Sequence, residues 1–238
     1  MAFRMPSALD LHALRRATLE RGAALAKRRA TVLRTVVSLR TLEPAPSACV
    51  APYVSALSAL HRHLCPRQVL GVRMALAAGE TLGLTLPSAD KRLLVFTESD
   101  GCFADGLMVA SGCSMGHRTL RLADHGKIAA TFADTRTQRA FRFVPRATIR
   151  QAALEYAPSA SSRWHAQRDG YARMPAEQLF SVTAVCLLDD SASVLGTRSQ
   201  PAICDDCGEE VINQRVTLSG GQTRCRACSG QAYFKPMV

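Results

Sequence analysis

Four cysteines near the C-terminal end, in Cys204-Asp-Asp-Cys207 and Cys225-Arg-Ala-Cys228, have the spacing of two knuckles that share one zinc ion. A two-residue gap lets one tight turn aim both sulfurs and nearby N–H groups at an ion, with Zn–S near ~2.3 Å. Gly208 follows the first pair, where such a turn asks for a residue free to take positive φ. Residues 210–218, 219–221 and 222–224 read as strand, turn and strand, a hairpin that brings the knuckles together. Disulfides would instead need an oxidising compartment, and a redox Cys-x-x-Cys would not need a matching second pair. A structural zinc site contributes on the order of 10–16 kcal/mol, so a module of this size needs no large core. Such modules bind nucleic acid, bind protein or cap a domain, so they name a structure rather than an activity.

A second set of reactive side chains lies earlier in the chain. His61, His63 and Cys65 recur at every second residue, Glu98-Ser-Asp-Gly-Cys102 precedes an apolar segment, and Ser111-Gly-Cys-Ser-Met-Gly116 follows it. The alternative to a metal site is a pair of exposed histidines beside a buried cysteine. Cys65, Cys102 and Cys113 could also form a redox dithiol if two sulfurs come within reach, although none is in a Cys-x-x-Cys arrangement. Gly112-Cys-Ser-Met-Gly116 has the spelling of a hydrolase elbow around Ser114, but an elbow needs a strand before it and a helix after it.

The elements that must position these groups read as follows. Ala8–Leu39 has an apolar stripe at helical period, and Glu43–Pro52 is a proline-punctuated linker. A helix starts near Arg67, beyond Pro66. The continuously apolar Lys91–Thr97 is a strand covered on both faces. A helix over Asp100–Ser111 is followed by strands at Arg118–Leu122, Lys127–Ala133 and Gln138–Val144 as a meander, then helix and loop over 147–180 and a strand at Phe180–Leu188. The pattern is α+β, a mixed sheet flanked by helices. The divisions are 1–45 (basic helix and linker), 46–195 (core) and 200–238 (four-cysteine zinc finger).

Composition limits the partners. With 238 residues and 47% hydrophobic residues the chain builds a real core. No apolar run approaches ~18–20 residues, so no membrane span is expected. Nine cysteines, an odd number, point to a reducing interior and a cytoplasmic protein. The net charge of +11 is concentrated: residues 1–40 carry nine Lys/Arg and two acids, leaving +4 for the rest. That segment reads as a helix packed on the core or a partner, as an organelle transit peptide, or as an RNA or DNA contact.

The order and spacing of His61-Arg-His-Leu-Cys-Pro66 with Leu70-Gly-Val-Arg73, Glu98-Ser-Asp-Gly-Cys102 with Asp105, Ser111-Gly-Cys-Ser-Met-Gly116 and Asp124-His-Gly-Lys127 resemble the FmdE family of formylmethanofuran dehydrogenase proteins. The resemblance implies a thioredoxin-like α+β core with a metal-binding site, a treble-clef zinc module in some members, and a homodimer. Some members are encoded beside molybdenum or tungsten formylmethanofuran dehydrogenase. On this footing the core metal candidates are His63, Cys65 and Cys113, then His61 and Cys102, around a second zinc or another transition metal. Three protein ligands plus water would make a catalytic-type site, and four would close it. The chain departs from the family pattern at Arg62, Arg67 and His117; two arginines here would repel a cation or receive an anion such as phosphate or pterin phosphate. The expected function is that of a metal-binding accessory or small-subunit protein of molybdenum/tungsten formylmethanofuran or formate dehydrogenase systems, partnered by the large enzyme or its cofactor-maturation machinery. A nucleic-acid-binding or regulatory zinc-ribbon protein and a dithiol redox protein are the alternatives.

Overall fold

The structure is a computed structural model and describes residues 50–61, 63–188, 201–213 and 215–237. The basic N-terminal helix, most of its linker, Arg62 and the greater part of the Ser/Asp-rich link lie outside the described residues. Two compact units divide between Cys186 and Leu187.

In the first unit, α1 (Val54–Leu60) ends just before His61. The central helix α2 (Pro66–Leu82) then starts on a complete cap: the Gln68 amide N–H donates to Cys65 Sγ, and the Gln68 side chain accepts from the Cys65 N–H. Pro66 occupies the first turn, where its missing N–H costs nothing, and Gly83 closes the helix in the left-handed region. Most of α2 is buried because it packs against both α3 (Cys102–Ser111) and α5 (Arg163–Arg173). Buried Arg73 donates to the Ala172 and Met174 carbonyls, holding the end of α5 to α2.

The sheet has five strands, β1 (Leu93–Thr97), β2 (Leu120–Leu122), β3 (Ala130–Asp134), β4 (Ala140–Pro145) and β5 (Phe180–Val185), in the order β2-β1-β3-β4-β5. The α+β mixed-sheet expectation therefore holds, but the three strands after α3 are not a meander. β2 runs parallel to β1 at one edge, and β3 pairs antiparallel to the other side of β1. The physical reason is that a parallel pair needs a crossover, and α3 supplies it between β1 and β2. Val95, Phe132, Phe141, Phe143 and Phe180 share the core face of the sheet. Edge-on ring pairs connect Phe132 to Phe143 at 5.5 Å and Phe143 to Phe180 at 6.3 Å. Helices α4 (Ile149–Tyr156) and α5 pack together, and the short α6 (Ala176–Leu179) leads into β5.

The second unit pairs β6 (Ala202–Ile203) with β7 (Glu210–Val211) and β8 (Thr217–Ser219) with β9 (Gln222–Arg224), and a helical turn spans Ala227–Gln231. The expected strand over 210–218 is thus two short strands in different hairpins. The chain turns between them at Asn213, whose φ of +59 breaks the extended run. The turn expected at 219–221 falls on Gly220 and Gly221, with Ser219 still in β8 and paired to Gln222. Among the described residues no helix is long and apolar enough to cross a membrane.

Candidate functional site

The cysteine module is built by its two hairpins. Cys204 and Cys207 lie in the loop from β6 to β7, and Cys225 and Cys228 follow β9. Gly208 takes a φ of +73, as the knuckle turn requires, and donates its N–H to the Cys204 carbonyl. Asp205 fastens the first knuckle to β9, its N–H donating to the Thr223 carbonyl at 2.8 Å and its carboxylate accepting from the Thr223 N–H at 2.7 Å. The four sulfurs all lie within 4.8 Å of one another, with Cys207 and Cys225 4.0 Å apart. A tetrahedron with metal–sulfur bonds of ~2.3 Å has edges of ~3.8 Å, so the arrangement fits one thiolate-bound ion. Backbone N–H groups of Cys207 and Cys225 bring the Cys204 thiol down to about 6. Hydrogen bonding to neighbouring sulfurs, Cys225 foremost, favours the protonated Cys228 thiol and pushes it up. The module could hold a metal through Cys204, Cys207, Cys225 and Cys228.

In the core unit the approach of α2 and α3 decides what meets. Gly71 and Gly106 face each other. A Cβ on Gly71 would stand 2.3 Å from the Phe103 carbonyl oxygen, and one on Gly106 would stand 2.2 Å from that of Gln68. The backbones can touch only because both residues lack side chains, and their contact brings Cys65, the cap of α2, beside Cys102, the first residue of α3. Cys65 is a neighbour of the Cys102 thiol, and burial together with that neighbour raises its pKa. Gly101, at φ +75 and ψ −157, makes the strand-to-helix turn in a region that essentially only glycine occupies. One turn along α3 from Cys102, Asp105 pairs with His61 Nε2. Two pairs, Cys65–Cys102 and His61–Asp105, therefore share the entrance to α2 and α3.

The other sequence candidates go elsewhere. Cys113 is buried past the far end of α3, its sulfur directed at the Leu93 carbonyl at 3.4 Å, and burial raises its pKa. Ten helical residues at ~1.5 Å each put Cys102 and Cys113 some 15 Å apart along the axis. His63 is exposed, with its ring 6.0 Å from that of Trp164. Among the described residues, the four-cysteine module is the only group of three or more His, Cys, Asp or Glu ligand atoms mutually this close.

Glu98, which opens the Glu98–Cys102 motif, forms a forked ion pair with Arg142 of β4, 2.7 Å from the guanidinium to Oε2, and this pair holds its carboxyl below the usual range. Two groups are not evident as site residues from sequence. Asp105 is legible as part of a motif but not as the partner of His61. Gln68 caps α2, yet its buried Nε2 has no hydrogen-bond partner; the Pro66-Arg-Gln68 start of a helix is the available signal for the cap.

Comparison with known proteins adds three matches. The family model described as "FmdE, Molybdenum formylmethanofuran dehydrogenase operon" matches residues 60–181. A "Probable S-adenosyl-L-methionine-binding protein" of Archaeoglobus fulgidus is 40% identical over 74 residues, which are 30% of this chain and 20% of that protein, so the chain spans about a fifth of its length. Among solved structures, an FmdE-like protein of the tungsten formylmethanofuran dehydrogenase type from Syntrophus aciditrophicus superposes with a TM-score of 0.51 at 16% identity. The match covers 82% of this chain and 100% of that one, a likeness of fold.

Proposed function

The chain belongs to the FmdE family, and from that premise we propose that it is a metal-binding accessory or small-subunit protein of molybdenum- or tungsten-dependent formylmethanofuran or formate dehydrogenase systems. In this reading Cys204, Cys207, Cys225 and Cys228 hold a structural zinc. In the core, Cys65 and Cys102, beside the His61–Asp105 pair, would be two ligands of a second transition metal, whose remaining positions no other His, Cys, Asp or Glu cluster among the described residues fills. The observation that carries it is the meeting of Cys65 with Cys102 beside the His61–Asp105 pair at the heads of two packed helices. A thiol at the head of α3, inside a strand–helix–strand unit, is also what supports the thioredoxin likeness implied by the family. A homodimer in the cytoplasm is part of the same proposal. Nothing of S-adenosylmethionine is carried over, since that match covers a fifth of the relative.

Elemental analysis of tag-free protein beside the Cys65→Ser variant tests this. About two zinc per chain falling to one in the variant supports a core metal; one in both confines metal to the module. The redox reading stands second, favoured by two neighbouring thiols with no third ligand atom gathered around them among the described residues. Thiol titration before and after metal removal separates the two. A Cys65–Cys102 disulfide in protein as isolated supports redox chemistry, and metal-protected thiols support coordination.

A further inference from the structure

A cavity of about 310 Å³ opens where the first turns of α2 and α4 meet one face of α5. Arg67, the second residue of α2, Arg150, the second residue of α4, and Arg146 just before α4 all line it, and among the described residues no carboxylate does. Three arginines elsewhere in the same unit are paired with acids: Arg92 with Asp134, Arg142 with Glu98, and Arg168 with Asp169. Arg67 and Arg150 have no ion-pair or hydrogen-bond partner among the described residues. Arg146 is anchored through Nε to the Glu177 carbonyl at 2.8 Å, which leaves its terminal nitrogens available. On α5, Gln167 and Tyr171 are one turn apart and face the same space. Tyr171 is buried, its hydroxyl has no partner among the described residues, and burial raises its pKa, so it stays a neutral donor. Leu70 adds an apolar wall.

We propose that this cavity is a binding site for a small phosphate-bearing ligand, with Arg67, Arg146 and Arg150 holding the phosphate oxygens and Tyr171 and Gln167 completing the donor set. Two helix N-termini point their positive ends at the same cavity and add to the attraction for an anion. Three guanidinium groups suit a ligand with several oxygens on one or two phosphorus atoms better than a single carboxylate, because each fork takes two oxygens. The cavity volume lies within the range of small-molecule sites, and its mixed lining leaves room for an organic portion beside the phosphate. Pro66 belongs to the lining and follows Cys65 directly, so a ligand seated here would lie next to the thiol pair. Phosphate binding at this cavity does not depend on which metal or redox role that pair has.

The test is calorimetric titration of the full-length, metal-loaded protein with pyrophosphate at constant ionic strength, beside succinate as a dicarboxylate control. Saturable binding of one pyrophosphate per chain is expected, weakened roughly tenfold or more by Arg67→Gln or Arg150→Gln and a few-fold by Tyr171→Phe. Arg136→Gln, an arginine outside the cavity, should leave it unchanged. No saturable binding to correctly folded protein, or equal weakening by Arg136→Gln, overturns the site. Succinate binding as tightly as pyrophosphate overturns the assignment to phosphate.

Discussion

The two cysteine sites of this protein are assembled in opposite ways. In the C-terminal module four sulfurs converge although the strands around them are two or three residues long and mostly exposed. In the core unit two cysteines become neighbours because two packed helices touch backbone to backbone at Gly71 and Gly106. The first arrangement makes sense only with a ligand that joins the four thiolates, since so small a unit has little apolar burial to hold it. The second is held by the packing of the core and would keep its thiols together with no ion at all. A cluster that depends on its ligand and a cluster that depends on its scaffold should respond differently to the same perturbations.

The largest contrast is expected on metal removal. Chelation, or Cys225→Ser, should unfold residues 201–237 and leave the core intact, because a structural ion of this kind contributes on the order of 10 kcal/mol. Amide NMR spectra report both units at once, and a metal-free module that keeps its dispersed signals breaks the comparison. Next, Gly71→Val places side-chain atoms against the Phe103 carbonyl and should cost the core about 3 kcal/mol. A lowered core melting transition with an unchanged module is the expected outcome, and diamide should then oxidise Cys65 and Cys102 to a disulfide less readily than in the parent protein.

A smaller effect is expected at Asp134. Its buried carboxylate accepts from Arg92 at 3.1 and 2.9 Å, from the Arg136 N–H and from Thr137, and the Arg92 guanidinium chiefly holds its pKa far below the usual range. A carboxyl depressed by folding stabilises the native state above its unfolded pKa of ~3.9 and loses that contribution as pH falls through the folded value. Glu98, depressed by Arg142, acts in the same direction. Asp134→Asn should therefore cost about 2 kcal/mol at pH 7, and its denaturation midpoints should fall less steeply than the parent's below pH 4. A parallel pH profile for both proteins would remove the carboxylate from the account. The smallest shift belongs to His61→Ala. With side chains 32% and 27% exposed, the His61–Asp105 pair should contribute under about 1 kcal/mol. Core metal content or Cys102 alkylation rate should change more than the melting temperature does, and the reverse would make His61 a structural residue.

The four-cysteine module, the turn at Gly208, a strand-to-helix junction within Glu98–Cys102 and the α+β character of the core are all legible in the amino-acid sequence. Each of these is written in neighbouring residues: a two-residue gap between thiols, a glycine where φ must be positive, an apolar run ahead of a helix. Which distant side chains meet is readable from the folded chain alone. Cys65 joins Cys102 while Cys113 lies at the opposite end of the same helix, His61 finds Asp105, β2 moves to the far side of β1, and three arginines from two helix starts face one cavity. The physical reason is that helix and strand periods fix only local direction. Which faces come together depends on how closely two backbones can approach, and here that is set by Gly71 and Gly106, 35 positions apart in the chain but in contact across α2 and α3.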